Sequence, residues 1–170
     1  RDRVNNLRNN ASVSFHFAVD EDKAVQLVPL NIHTWHAGDG SKGEGNLYSI
    51  SIEICRSLCE GEKEQLYRRA EENAAILAAH LLDANNLTIS ALRKHQDWSG
   101  KNCPHRILGE TRWEDFKSRV AEKMQKKVYF DKYSATGPQS FPCAKEIIQP
   151  VRRNKSTIVK CYLTIKKSHL

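Results

Sequence analysis

Apolar and polar residues alternate from Val13 to Val19: Val13, Phe15, Phe17 and Val19 fall on one face, Ser14, His16 and Ala18 on the other. That is the period of a half-buried strand. Asp20-Glu21-Asp22-Lys23 reads as a turn into a second strand over residues 24–28, which makes a hairpin. A third strand is predicted over residues 49–55, with Ile50, Ile52 and Ile54 on one face and Ser51, Glu53 and Cys55 on the other. Glu53 is the odd residue on a face that is otherwise small and uncharged. Over residues 62–83 the period becomes helical: Leu66, Ala70, Ala74, Leu77 and Leu81 form one stripe, and Asn85-Asn86 marks the end. A short strand over 91–95 follows. A second helix over 112–126 has Trp113, Phe116, Val120 and Met124 as its stripe, with Thr111 and Glu114 spaced as a capping box. Residues 1–10 carry helix formers and stop at Asn9-Asn10.

Between the second and third strands, residues 35–46 are glycine-rich and polar, a surface loop of the kind that often carries function. Past Lys127 the pattern weakens. Residues 134–140 read as a linker, and the runs 157–159 and 162–165 are short strands too small for a core of their own. The expected organisation is one globular domain over residues 1–126 and a tail over 127–170. Charge sharpens that division: residues 1–125 carry 17 Lys+Arg against 18 Asp+Glu, and residues 126–170 carry 10 against 2. The net charge of +7 therefore belongs to the tail. No specific nucleic-acid partner is expected, because these basic residues are not interleaved with aromatic platforms and no known motif accompanies them. The tail's charge would attract any polyanion, nucleic acid included, without specificity, and a solvated linker explains it at least as well. No apolar run approaches the roughly 20 residues of a membrane span. The start, Arg1 to Asn6, lacks the apolar core of a secretory signal, so if the protein works outside the cytoplasm something else must deliver it. Five cysteines, an odd number at irregular spacing, argue against a disulfide-stapled framework.

The chemistry concentrates in His95-Gln96-Asp97-Trp98-Ser99-Gly100-Lys101-Asn102-Cys103-Pro104-His105. A His and a Cys eight residues apart, across a loop that can turn back, can present an imidazole nitrogen and a thiolate to one Zn²⁺. Spacing alone fits a surface His beside an unremarkable Cys just as well. Three further segments accompany it: Ser12-Val13-Ser14-Phe15-His16-Phe17-Ala18-Val19-Asp20, Trp35-His36-Ala37-Gly38-Asp39-Gly40 and Ser49-Ile50-Ser51-Ile52-Glu53-Ile54-Cys55. In this order and spacing the four closely resemble the type 2 N-acetylmuramoyl-L-alanine amidases, above all endolysins of phages and prophages of Gram-positive spore-formers.

The resemblance implies an α/β fold, a central mixed β-sheet flanked by helices, and a Zn²⁺ cofactor held by two His and one Cys with water in the fourth position. At matching positions His95 and Cys103 are the second and third zinc ligands, Glu53 the general base and Lys101 the cation that stabilises the oxyanion. The implied reaction is hydrolysis of the amide between N-acetylmuramic acid and L-alanine, with peptidoglycan as the partner. Trp35, His36, Gly38 and His16 would border the substrate groove. Blander roles stay open: a loop anchor for Trp35, a hydrogen-bonded structural residue for His16, a solvent-facing strand residue for Glu53.

In the family the first zinc His lies on an initial strand ahead of the helix that residues 1–10 resemble, so that strand is expected to precede Arg1. Three readings follow: a truncated enzyme; a protein in which a tail strand fills the sheet position and brings His169 to the metal; or a noncatalytic peptidoglycan-binding module with an incomplete zinc site.

Overall fold

The computed structural model describes residues 13–55, 63–127 and 161–166. The helix expected over residues 1–10, the linker over 134–140, the run over 157–159 and His169 lie outside the described residues. The hairpin forms as β1, Phe17–Val19, and β2, Ala24–Gln26. Its turn closes because Asp20 Oδ1 accepts the backbone N–H groups of Asp22 (2.9 Å) and Lys23 (2.8 Å). Helix α1, Glu44–Tyr48, leads without a break into β3, Ser49–Ile54. Then come α2, Lys63–Ala84, and β4, Leu92–Lys94. Three more helices follow, α3 at Gln96–Ser99, α4 at His105–Gly109 and α5 at Trp113–Lys126, and β5 spans Cys161–Lys166.

The strands form one mixed sheet in the order β2, β1, β3, β5, β4. The expected α/β architecture is present. β1 and β3 run parallel, while β5 runs antiparallel to both its neighbours. Part of the tail thus lies in the same sheet as Glu53, between β3 and β4. Its register explains why it stays: Ile165 pairs with both Ile50 and Leu92, and Leu163 pairs with Ile52. Leu163 and Ile165 are fully buried, each contributing roughly 1.5–3 kcal/mol. One sheet row therefore reads Phe17, Ile52, Leu163.

Helix α2 crosses β1 and β3, and its buried Ala70, Ala74, Ala75, Ala78 and Ala79 are small enough to let it lie close. Helix α5 packs on α2 through Phe116 and Val120. Charge seals that seam. Glu71, 1% exposed in its side chain, takes Arg112 Nη1 at 2.6 Å and also pairs with Arg119. Burial alone would raise the Glu71 pKa, but the hydrogen bonds from Arg112 and Arg119 outweigh it and hold the carboxyl below its ordinary value. No described helix is long and apolar enough to cross a membrane.

The capping box expected at Thr111 does not form. Thr111 takes φ +55° and donates its N–H to the Leu108 carbonyl (3.0 Å), and Arg112 donates to Ile107 (2.8 Å). Both residues finish α4, so the N-cap of α5 passes to Arg112, which makes no side-chain cap bond. Thr111 lacks the extended backbone that an N-cap needs.

Candidate active site

Strand β3 divides the interior. Ile50, Ile52 and Ile54 face the apolar core, and Ser49, Ser51 and Glu53 occupy the other side, all six at most 2% exposed. Glu53 is therefore enclosed within the fold rather than facing solvent. Around Ser49 and Ser51 the sequence supplies hydrogen-bonding partners from β1 and from the loop before α1.

The directions of these bonds can be worked out. The Ser51 backbone N–H donates to His16 Nδ1 (3.1 Å), so that nitrogen carries no proton. His16 Nε2 then holds the ring proton and donates to the Ile32 carbonyl (3.0 Å). Ser49 gives its hydroxyl proton to the Gly45 carbonyl (2.5 Å), so Ser49 Oγ accepts from His36 Nε2 (2.9 Å). His36 Nδ1 lies 2.9 Å from the Thr34 hydroxyl and 3.1 Å from the Thr34 carbonyl. Thr34 Oγ1 also lies 3.1 Å from His16 Nδ1, so one hydroxyl stands between the two rings and its single proton can serve only one of them. Burial first, then the neighbouring His16, lowers the His36 pKa from 6.5 to about 3, so this ring stays neutral. His36 is 3% exposed and His16 fully buried; Trp35 between His36 and Thr34 is 43% exposed, its N–H held by Ser14 Oγ (2.8 Å).

The same loop reaches His95. Asn46 Oδ1 accepts the N–H groups of His36 and Ala37, both at 2.8 Å, and Asp39 Oδ2 accepts that of Gly45 (2.6 Å). The His95 ring bonds the Ala37 backbone, and Gly38, at φ +75°, lies so close that a Cβ there would come 3.5 Å from His95 Nε2 and 3.2 Å from Ser99. The positive φ and the tight approach to Ser99 favour glycine at position 38. Burial first, then Lys101, lowers the His95 pKa, which favours the neutral ring that a metal ion requires. Lys101 is exposed, and this electrostatic coupling places its charge near His95.

The segment after His95 folds back, since Gln96 N–H donates to the Cys103 carbonyl (3.2 Å). Cys103 is fully buried. Its thiol and the His95 imidazole are zinc donors of the right kind. Among the described residues no group of three or more His, Cys, Asp or Glu could hold a metal ion, so these two do not complete a site there. The structure thus brings His95, Gly38, Lys101 and His36 together and sets Glu53 one residue beyond the row in which Lys94 and Ile52 both meet Leu163. Two strand spacings, on the order of 10 Å, separate the backbones at Glu53 and His95. Strand β5 leaves the sheet at the Ser49 end, whereas His95 follows the opposite end of β4.

Sequence reasoning missed Thr34, Asn46 and Asp39, which fix the loop, and Trp98, whose Nε1–H donates to Thr164 Oγ1 (2.8 Å) in the tail strand. The available signal was the alternation of serine with isoleucine in β3, which calls for polar partners on a buried face.

The family model described as N-acetylmuramoyl-L-alanine amidase matches residues 1–106. Among curated proteins the chain is 48% identical over 118 residues to the N-acetylmuramoyl-L-alanine amidase XlyB of Bacillus subtilis (strain 168), covering 69% of this chain and 36% of that one. It is 43% identical over 134 residues to CwlA of Bacillus sp, covering 78% and 52%. The chain thus spans about a third to a half of the length of these relatives. Among solved structures it resembles PlyL (TM-score 0.62, 45% identity, 70% of this chain and 73% of that one) and the PlyG catalytic domain (TM-score 0.61, 41% identity, 77% and 72%).

Proposed function

Because the chain belongs to the N-acetylmuramoyl-L-alanine amidase family, we propose that it hydrolyses the amide between N-acetylmuramic acid and L-alanine in peptidoglycan. It would act on the cell wall after release from the cell that makes it. The observation that carries this reading is Glu53, a buried carboxylate on the polar face of β3, one row from the strand end that delivers His95. In our reading Glu53 takes a proton from the attacking water and returns it to the leaving nitrogen, a transfer worth about 10²–10⁴ in rate. Lys101 stabilises the oxyanion, typically a contribution of about 3 kcal/mol. Gly38 and the Asn46-braced loop hold the His95 ring in place. His36 and His16 support that loop from inside, and the exposed Trp35 offers an indole face to sugar or peptide. We propose Zn²⁺ as the cofactor, with His95 and Cys103 as two of its ligands. When bound, zinc supplies a water of pKa near 7.

The test is release of free amines from Gram-positive cell walls, with zinc per chain measured by elemental analysis. Glu53→Gln is expected to lower release about 10²–10⁴-fold while sedimentation with the walls is retained. Release by this variant at the parental rate removes Glu53 as the base. Wall binding by the parental chain without release, whatever its zinc content, replaces the enzyme with a binding module.

A further inference from the structure

Among the described strands, β4 pairs with β5 and with no other, so the strand that delivers His95 is joined to the strand of Glu53 only through the tail. A second link lies on the polar face. Trp98 belongs to α3, the four-residue turn that starts directly after His95, and its indole N–H donates to Thr164 Oγ1 at 2.8 Å. Thr164 is fully buried and pairs with Ser51 on one side and Arg93 on the other, which puts its hydroxyl on the face of Ser51 and Glu53. The indole is also wedged from the loop side, because a Cβ on Gly45 would approach Trp98 Cδ2 to 2.9 Å. A partly buried indole N–H needs an acceptor, and rotating the ring to find another would move α3 and the His95 that begins it.

We infer that β5 is a positioning strand for the active site, with Thr164 as the positioning residue that sets the His95 turn through Trp98. As an account of catalysis this rests on the amidase reading; as an account of coupling between tail and turn it does not. Thr164 touches no reacting group and acts only through the indole. The tail is therefore a working part of the site, in contrast to a linker that could be removed without consequence.

The experiment uses the full chain and Thr164→Val, which keeps the β-branched shape and removes the acceptor, with Thr164→Ser as the variant that restores it. Amide hydrogen exchange reads the coupling without reference to activity. The amides of Trp98, Ser99 and Gly100 donate to the His95 and Gln96 carbonyls, and those of α2 serve as the internal standard. Thr164→Val is expected to speed exchange in the turn about tenfold or more, leave α2 unchanged, and shift the Trp98 indole N–H resonance; Thr164→Ser should reverse all three. Unchanged exchange in the turn overturns the inference, and so does equal acceleration in α2, which would reduce Thr164 to general stability. If Thr164→Val does not fold, Trp98→Phe removes the donor instead and is read by the same pattern. Where the parental chain cleaves walls, Thr164→Val should lower kcat about tenfold with KM held. A parental chain without amidase activity sinks the proposed function and leaves the exchange result to decide the coupling.

Discussion

The two faces of β3 are buried to the same depth and held by different forces. On one side Ile50, Ile52 and Ile54 meet Phe17, Val19, Leu163 and Ile165 and the alanine stripe of α2. On the other side Ser49 and Ser51 meet His16, Thr34 and His36, and nearly every contact is a hydrogen bond. Packing asks for volume and tolerates changes of shape that conserve it. A buried polar network asks for a donor opposite each acceptor, and one missing partner exposes the full cost of desolvation. The difference suggests that the apolar face sets how stable the sheet is, while the polar face sets where the loop that touches His95 can sit.

Substitutions that alter one face at a time sharpen this contrast. Ile52→Ala should cost the most, about 2–5 kcal/mol of unfolding free energy, since Ile52 is fully enclosed. Thr34→Val keeps the volume and removes the hydroxyl between the two rings, and is expected to cost about 1–3 kcal/mol in urea unfolding. A loss under about 0.5 kcal/mol for Thr34→Val would mean that the polar face is held by shape after all. Acid should act on this face alone. The unfolded chain protonates His36 near pH 6.5, but the folded chain does so only near pH 3, so stability is full above 6.5 and falls between the two values. The first pH unit below 6.5 should cost about 1 kcal/mol. An imidazole resonance of His36 that titrates between pH 7 and 5 would contradict that burial.

How far the sequence reveals this arrangement depends on the range of the interaction. The alternation in β3 and the stripe through Ala70, Ala74, Leu77 and Leu81 are local periodicities, and they locate the strand, the helix and the isolated Glu53 directly. The run containing Leu163 and Ile165 also reads as a strand, but its insertion between β3 and β4 is a choice among partners that no local period records. The Thr111 cap fails for a related reason: a good capping residue was taken by the end of α4 before α5 began. At the site, residues in motifs were legible as residue types, whereas the roles of Thr34 and Asn46 depend on bonds spanning the loop, such as Asn46 Oδ1 to His36 N–H.

The smallest expected effect tests the grip on β5 itself. Lys166 Nζ lies 2.5 Å from Glu44 Oε2, but these side chains are 34% and 51% exposed. An exposed pair of this kind contributes about 0–1 kcal/mol and weakens further in salt. Leu163, by contrast, is fully buried in the row with Ile52 and Phe17, and its truncation to alanine should cost about 2–5 kcal/mol. Lys166→Ala should therefore change unfolding by less than about 1 kcal/mol, with the remaining difference from the parent vanishing near 1 M salt. If Lys166→Ala proved the more damaging of the two, β5 would be anchored at its exposed end, and the apolar face would have to be given up as the source of its stability.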